Sequence, residues 1–335
     1  MSALWTSADA EAATLGTATR EFASGGLSID TRTLQAGDLF VALKGDNRNG
    51  HEFVRAAFDA KASAALVSRQ PDGVSGPMLV VANTQRGLED LAVASRARSD
   101  ARIVAVTGSA GKTTTKEMLR LALGALGTTH ASAASYNKHW GVPLSLASLP
   151  RDARYAVFEI GMNHFGEIRA LVGFVRPHVA IVTTIAPAHL EFFGSCEAIS
   201  DAKSEIFEGL EPGGTAIIPA DSPYAGRLIA RAQQAGVANI LAFGRNGADA
   251  KLIAIGDTIE AEILGNKIRF TIGAPGEHIA TNALAALLAV AVSNGDVNAA
   301  AAALQDFTAL KGRGARFTTA NGIEIIDESY NANPA

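Results

Sequence analysis

The segment Arg102-Ile-Val-Ala-Val-Thr-Gly-Ser-Ala-Gly-Lys-Thr-Thr-Thr115 decides the fold. A β-branched strand over Ile103–Val106 enters a turn bounded by glycines, and apolar spacing predicts a helix over Lys112–Leu126. Backbone N–H groups of such a turn, and of the following helix N-terminus, point at phosphate oxygens. Lys112 can reach the β- and γ-phosphates, and the Thr113 hydroxyl can ligate magnesium. The segment therefore predicts a triphosphate cradle, although Val106 replaces the first glycine of the usual G-x-x-x-x-G-K-S/T pattern.

Length and composition limit the class of protein. The 335 residues exceed one ordinary core, and 48% hydrophobic with 19% charged residues is typical of folded, soluble chains. A net charge of −4, without a basic cluster that contains aromatics, argues against a nucleic-acid partner. The single cysteine, Cys196, fits a reducing compartment. Because the N-terminus lacks a basic signal segment and no apolar run approaches about 18 residues, we expect a cytoplasmic protein without a membrane span.

The pattern of elements predicts an α/β protein with two domains and a connector. Short strand-like runs and helices over residues 1–99 predict a small N-terminal α/β domain, which ends at a polar boundary. Over residues 100–314, buried strands alternate with helices, which predicts a mostly parallel sheet of a central P-loop ATPase domain. Residues 249–272 alternate apolar and polar side chains and predict an antiparallel hairpin extension.

Two candidate side chains follow strands at the carboxyl edge of the predicted sheet. Glu159 ends the strand Tyr155–Ile160, on the edge where open α/β sheets bind ligands and where the cradle lies. Its carboxylate can hold magnesium beside nucleotide phosphates, or it is a solvated strand-end glutamate. His189 follows the strand His178–Thr183 and is either a metal ligand through a neutral imidazole or a structural loop residue.

Lys203 shares a helical stripe with apolar side chains. Ile199, Ile206 and Leu210 recur at spacings of three and four, and Lys203 falls on the same face. An inward lysine needs a partner for its amine, and phosphate, a carboxylate or a metal site would serve. The alternative is a lysine that extends to solvent from the edge of the stripe.

Other polar residues each leave two interpretations open. Asn282 either contacts a base edge or caps an alanine-rich helix. Arg313 and Arg316 lie in a glycine-rich connector, where they either reach a transferring phosphoryl group or are solvated charges. In the first domain, the polar residues 30–32 and 46–51 suit a phosphate and sugar ligand, or they only form turns.

In this order, these features resemble the Mur ligases, the ATP-dependent amide-forming enzymes of peptidoglycan precursor synthesis. The resemblance extends over essentially the whole chain. The stretch Thr107–Thr115 resembles the family's P-loop, which also tolerates loss of the first glycine. Three stretches resemble the branch of the family whose substrates are UDP-N-acetylmuramoyl-tripeptide and D-alanyl-D-alanine: Glu159-Ile-Gly-Met-Asn-His-Phe-Gly-Glu-Ile168, Asp201-Ala-Lys-Ser-Glu-Ile-Phe207 and Asp327-Glu-Ser-Tyr-Asn-Ala-Asn-Pro334.

The resemblance also implies a role for each candidate residue. It implies nucleotide contacts by Thr107, Gly108, Ser109, Ala110, Gly111, Lys112, Thr113, Thr114, Asn282 at the adenine and Asp327 at the ribose. It implies catalytic roles for Lys112, Glu159, His189, Lys203 and Arg313, with Arg316 as an alternative to Arg313. Two Mg²⁺ ions are expected, with ligands from Thr113, Glu159, His189 and a Lys203 that is carbamylated. Substrate contacts are expected from Thr31, Arg32, Asn47 and His51 to the uridine diphosphate, and from Asn137 to the muramoyl-peptide.

The implied reaction joins D-alanyl-D-alanine to the tripeptide carboxylate through an acyl phosphate, with ATP converted to ADP and phosphate. Two alternatives stay open: a fragment that binds nucleotide and UDP-sugar-peptide without catalysis, or a Mur-type ligase for another acceptor. The resemblance implies a third, Rossmann-like domain, and residues 315–335 would be the connector to it and its start. Because that domain supplies much of the dipeptide's site in the family, we expect the 335-residue chain to be a monomer that binds substrates but ligates weakly.

Overall fold

A computed structural model describes residues 3–45, 47–132, 136–188, 190–309, 312–313, 315–319, 321–327 and 329–330, with only the backbone described at Ala315 and Arg316. The predicted residue His189 lies outside these residues, as does the side chain of Arg316. The chain divides into two compact units. The first comprises residues 1–100 and 139–152, and the second comprises residues 101–138 and 153–335.

The first unit is a small α/β structure with a five-stranded sheet in the order β2-β7-β6-β5-β4, in which only the β2–β7 pair is antiparallel. Its strands are β1 Trp5–Thr6, β2 Thr17–Ala18, β3 Ala23–Ser24, β4 Gly26–Ser28, β5 Asp38–Val41, β6 Ala64–Val67 and β7 Met78–Val80. Its helices are α1 Ser7–Thr14, the 3₁₀ turn Gly50–Phe53, α2 Val54–Asp59, α3 Thr84–Ala97 and α5 Gly141–Ala147. Side chains of β5, β6 and α2 form its core, among them Phe40, Val54 and Val67.

Helix α5 belongs to this first unit, although its residues fall within the predicted central domain, residues 100–314. All seven residues of α5 are buried, and the helix packs on α3. The indole N–H of Trp5 donates to the carbonyl of Ala147 at 2.9 Å. A helix that is buried on every side has no amphipathic period, so neither its presence nor its partner is visible in the sequence.

The second unit is built on a nine-stranded sheet in the order β16-β15-β14-β13-β12-β11-β8-β10-β9. Its strands are β8 Arg102–Thr107, β9 Thr129–Ala131, β10 Tyr155–Glu159, β11 Val179–Val182, β12 Thr215–Pro219, β13 Asn239–Gly244, β14 Ala250–Ile255, β15 Ile259–Ile263 and β16 Asn266–Phe270; β17 Ala315–Thr318 and β18 Glu324–Asp327 form a separate hairpin. Its helices are α4 Lys112–Gly124, α6 Glu167–Val175, α7 Leu190–Phe193, α8 Cys196–Ser204, α9 Ala225–Gln234, α10 Glu277–Val292 and α11 Val297–Ala303, with 3₁₀ turns at Glu205–Gly209 and Leu304–Asp306.

The strand pairing confirms the predicted mixed α/β fold with a mostly parallel sheet. Strands from β9 to β14 pair in parallel, and only β15 and β16 add antiparallel pairs at the edge where the hairpin extension is predicted. β8 lies between β10 and β11, so the segments that follow these three strands meet at one edge of the sheet. The described helices include none that is long and apolar enough to span a membrane.

One predicted helix is wrong in its second half. The apolar stripe from Ile199 to Leu210 predicts one continuous helix, but α8 ends at Ser204 and a 3₁₀ turn follows. The buried carboxylate of Glu205 accepts the N–H groups of Gly166 and Arg169, at 2.8 and 3.1 Å, at the start of α6. The first residue of the 3₁₀ turn thus caps α6, a contact that the apolar spacing does not encode.

Candidate functional site

The turn after β8 has the geometry of a phosphate cradle. It runs from Gly108 to Gly111, and α4 begins at Lys112. The backbone φ is +153° at Gly108 and +81° at Gly111, a region that side chains disfavour. Val106 is a buried residue of β8 that pairs with Glu159 of β10 on one side and with Ile181 of β11 on the other. The chain is extended at this position and needs no glycine.

Three of the four backbone N–H groups of this turn have no protein partner within the described residues, whereas that of Ser109 donates to the carbonyl of Thr184. The N–H groups of Gly108, Ala110 and Gly111 donate no hydrogen bond there. They lie beside the N-terminus of α4, whose first N–H groups also lack intrahelical partners. Convergent free donors at a helix N-terminus are suited to the oxygens of a phosphate chain.

Lys112 lies at the start of this helix and is held by the turn itself. Its Nζ donates to the carbonyl of Gly108 at 2.8 Å. Burial lowers the pKa of Lys112, an effect that Glu159 opposes and Arg313 reinforces. The lysine is therefore a partly desolvated cation directed at the cradle.

Glu159 and Thr113 bring two oxygen donors together beside the cradle. The Thr113 hydroxyl donates to Oε2 of Glu159 at 2.8 Å, and the Glu159 side chain is buried. The Asn137 amide donates to Oε1 of the same carboxylate at 2.8 Å. A hydroxyl and a carboxylate are the hard ligands that Mg²⁺ prefers, so these residues fit the ion. In the described part of the chain no cluster of three His, Cys, Asp or Glu side chains adds to this pair.

Lys203 is a buried amine without a counter-ion among the described residues. Its side chain is 3% exposed, as its place on the apolar stripe of α8 predicts. Burial and the nearby Lys112 cation lower the pKa of Lys203 well below its ordinary value. Two lysines that lie close together, of which Lys203 has no carboxylate partner in the described part of the chain, form a site that favours an added anion.

Three further predicted residues, Asn282 of α10 and Arg313 and Asp327 of the connector, have defined surroundings. Helix α10 begins at Glu277, more than one turn before Asn282, so Asn282 is not a helix cap. Its amide lies against the P-loop, because a Cβ on Gly111 would come within 2.9 Å of its Oδ1. The Arg313 guanidinium stacks on Tyr330 at 4.4 Å from the ring centre. The carboxylate of Asp327 accepts the N–H of Gly312 at 3.0 Å, so it closes the turn that carries Arg313.

The predicted residues of the first unit differ in how free their side chains are. Asn47 and Arg32 are exposed, and Arg32 pairs with Asp30 at 2.6 Å. Hydrogen bonds from Arg32 lower the pKa of Asp30 to about 2. Thr31 lies between these two residues and is half-buried. His51 is committed within the protein, since its Nδ1 contacts Oδ1 of Asn49 at 2.9 Å and its Nε2 accepts the N–H of Ser68 at 2.9 Å.

The His51 contacts predict a loss of stability in acid. Because Nε2 must stay unprotonated to accept from Ser68, and because burial and then Arg69 lower the pKa of His51, the unfolded chain binds the proton more readily. The free energy of unfolding is therefore expected to fall as the pH drops below about 6.5, the ordinary pKa of a histidine. We expect His51→Gln to reduce the drop in melting temperature between pH 7.5 and 5.5. Equal drops for His51→Gln and for the exposed-residue control His139→Gln would contradict this prediction.

Together, the parallel sheet, the glycine-bounded turn and the lysine at the helix N-terminus define a P-loop nucleotide-binding protein of the α/β class. Two family models match the chain: the Mur ligase family catalytic domain over residues 25–120 and the Mur ligase middle domain over residues 106–290. The chain belongs to the Mur ligase family, whose members are ATP-dependent ligases.

Individual relatives agree with this membership. The UDP-N-acetylmuramoyl-tripeptide–D-alanyl-D-alanine ligase of Rickettsia prowazekii is 36% identical over 315 residues, which cover 92% of this chain and 70% of the relative. A crystal structure of MurF from Acinetobacter baumannii matches 98% of this chain and 74% of that chain with a TM-score of 0.86 and 32% identity. A crystal structure of the MurF ligase from Thermotoga maritima in complex with ADP matches 92% of this chain and 72% of that chain, with a TM-score of 0.76 and 26% identity.

Two buried residues near the site have no signal in the sequence. Lys116 of α4 is 1% exposed, and its Nζ donates to the carbonyl of Ser132 at 2.8 Å. Thr183, directly after β11, is 4% exposed and bonds to the P-loop. A lysine on a helix and a threonine after a strand are ordinary residues, so only the folded structure distinguishes these two.

Proposed function

We propose that the chain catalyses the ATP-dependent joining of D-alanyl-D-alanine to UDP-N-acetylmuramoyl-tripeptide, a step of peptidoglycan precursor synthesis. The relatives that match more than nine-tenths of the chain are ligases with these two substrates in their names. The observation that carries the proposal is that Lys112 of the P-loop lies near both Glu159 and the buried Lys203. Lys112 offers positive charge where a phosphoryl group and a carboxylate would meet.

The chemistry requires an activated carboxylate, because a free carboxylate is a poor electrophile at neutral pH. A carboxylate oxygen of the tripeptide attacks the γ-phosphorus of ATP, and the bond to the β–γ bridging oxygen breaks, which gives an acyl phosphate and ADP. The dipeptide amine then attacks the acyl carbon, the C–O bond to phosphate breaks, and the amine proton passes to solvent. Lys112 and the free N–H groups of the P-loop neutralise charge on the transferring group, and Arg313 is proposed to assist them.

Magnesium would be held by the oxygens of Thr113 and Glu159, with His189 as a further proposed ligand. It supplies charge neutralisation and orientation of the phosphate chain when bound, and two ions are proposed. The role of this chain's residues is to hold the carboxylate of Glu159 in place, which Asn137 does through its amide.

Lys203 is proposed to be carbamylated. The lone pair of the neutral Nζ would add to the carbon of CO₂, one proton on that nitrogen would pass to solvent, and an anionic carbamate would result. Burial and the nearby Lys112 cation lower the pKa of Lys203, which favours the neutral, nucleophilic amine, and Lys112 would stabilise the product anion. A carbamate would give this buried lysine an anionic group that a metal ion could bind.

The remaining residues are proposed to bind the substrates. Asn282 would contact the adenine from its place against Gly111, and Asp327 would approach the ribose. In the first unit the uridine diphosphate would be held by Thr31, Arg32 and Asn47. Since the ring nitrogens of His51 are engaged with Asn49 and Ser68, we assign His51 the role of shaping this segment.

The proposal is tested by measuring ADP formation with UDP-muramoyl-tripeptide, with and without D-alanyl-D-alanine, and by mass spectrometry of the product so that slow turnover is detected. We expect ADP to form only when the acceptor, UDP-muramoyl-tripeptide, is present. The product should be heavier than this acceptor by the mass of the dipeptide less water. An acceptor whose terminal carboxylate is amidated is the matched control and should give no ADP. ADP formation at equal rates with the amidated acceptor would contradict the proposal.

A further inference from the structure

Thr183 connects the end of β11 to the P-loop. Its backbone N–H donates to the carbonyl of Thr107 at 2.9 Å, and its hydroxyl oxygen lies 3.2 Å from the same carbonyl oxygen. The hydroxyl donates its one proton to the nearer carbonyl, that of Ala110, at 2.5 Å. Thr183 is 4% exposed, so these contacts are shielded from water. One side chain directly after β11 therefore contacts the carbonyl just before the turn and a carbonyl within it.

These contacts orient the donors of the cradle. In a trans peptide unit the C=O of one residue and the N–H of the next point in opposite directions. Because the carbonyls of Thr107 and Ala110 point at Thr183, the N–H groups of Gly108 and Gly111 point away from it. These are two of the donors that have no protein partner in the described ranges.

The close approach also explains a glycine of the turn. A Cβ on Gly108 would overlap the Thr183 hydroxyl, so glycine at this position and threonine at 183 fit each other. Ser109 adds a parallel connection, since its N–H donates to the carbonyl of Thr184 at 2.8 Å and its hydroxyl donates to the carbonyl of Ala186 at 3.0 Å. The turn is thus held along one side by the segment after β11.

We propose that Thr183 is a positioning residue for the nucleotide, whose hydroxyl turns the peptide units of the P-loop so that their N–H groups face the phosphates. The backbone N–H of Thr183 holds the Thr107 carbonyl without the hydroxyl, whereas the Ala110 carbonyl has only the hydroxyl as its described donor. The Gly111 N–H is therefore the donor that depends most on Thr183. The proposal rests on nucleotide binding by the family to which the chain belongs.

The test compares Thr183→Val, which removes the hydroxyl at nearly constant shape, with Thr183→Ser, which keeps it. The matched control is Thr215→Val, a buried threonine at the opposite end of the adjacent strand β12. Calorimetry with ADP, with tripolyphosphate and with adenosine separates phosphate contacts from base contacts. We expect Thr183→Val to raise the Kd for ADP and for tripolyphosphate about tenfold and to leave adenosine binding unchanged, with Thr183→Ser and Thr215→Val within about twofold of the unsubstituted chain.

A second readout needs no ligand. The amide resonance of Gly111 should shift in Thr183→Val and in Thr183→Ala but not in Thr215→Val, and it reports on the turn even if the unsubstituted chain binds neither ADP nor tripolyphosphate. That failure would count against nucleotide binding, not against the orienting contact. Thr183→Ala replaces the valine variant if the latter does not fold. Unchanged affinity for both phosphate ligands, or an equal loss of adenosine affinity, would overturn the proposal.

Discussion

Lys112→Ala is expected to lower the rate of ADP formation about a thousandfold or more, with both substrates present. Lys112 lies beside the P-loop turn, where its Nζ donates to the Gly108 carbonyl at 2.8 Å. From this position its positive charge would stabilise the negative charge of the transferring phosphoryl group. A thousandfold loss corresponds to about 4 kcal/mol in the barrier. An effect of this size is plausible for a cation in a desolvated site, because water cannot replace its charge at the moment of transfer.

The control for this substitution is Lys267→Ala, which removes an exposed lysine from β16 of the same unit. Thermal unfolding of both variants separates loss of the cation from loss of the fold. We expect similar melting temperatures, because the Lys112 amine donates to a carbonyl of its own turn and has no other hydrogen-bond partner among the described residues. Near-normal phosphate release by Lys112→Ala would show that the assignment of this residue is wrong.

Lys203→Ala is expected to reduce the rate by about a hundredfold or more and to recover partly when a short carboxylate such as acetate or propionate is added. The substitution removes a buried amine and leaves a space near Lys112, which a small anion can enter in place of the proposed carbamate. The size of the loss follows from removing one preorganised group from a water-excluded site. The measurement is the rate against carboxylate concentration.

Two comparisons make the Lys203 prediction specific. Lys112→Ala should show no recovery with the same carboxylates, because an anion does not replace a lost cation. The unsubstituted chain supplied with ¹³C-labelled bicarbonate should show a carbamate resonance that Lys203→Ala lacks. If neither recovery nor this resonance is observed, Lys203 serves as a plain cation for a phosphate and the carbamate is excluded.

Much of the second unit could be predicted from the sequence because its signals are local. The strand β8, the turn and the helix α4 follow each other directly, and residue types alone indicate them. Lys203 could be placed inside because apolar residues three and four positions away mark the buried face of α8. These patterns depend on neighbours within about two turns of helix, which a sequence displays.

The remaining features depend on contacts between distant residues. Helix α5 is recognisable only through α3, which it covers after the chain has passed through β8 and α4. Thr183 and Lys116 matter because of carbonyl groups that other segments bring to them. Asn137 is expected to contact the muramoyl-peptide, and its amide in addition donates to Glu159, a partner that no local spacing indicates. Backbone acceptors carry no mark in the sequence, so such contacts cannot be predicted from residue types.

The central claim, that the site transfers phosphate to the acceptor carboxylate, is tested most directly with UDP-muramoyl-tripeptide whose terminal carboxylate carries ¹⁸O at both oxygens. The acceptor is turned over with ATP and D-alanyl-D-alanine, and the released phosphate is analysed by mass spectrometry. The oxygen that joins carbon and phosphorus in the acyl phosphate comes from the carboxylate, and it leaves with the phosphate when the C–O bond breaks. Each released phosphate should therefore carry one ¹⁸O atom, and the new amide should keep the other. Phosphate free of ¹⁸O, released while the peptide forms, would contradict the claim.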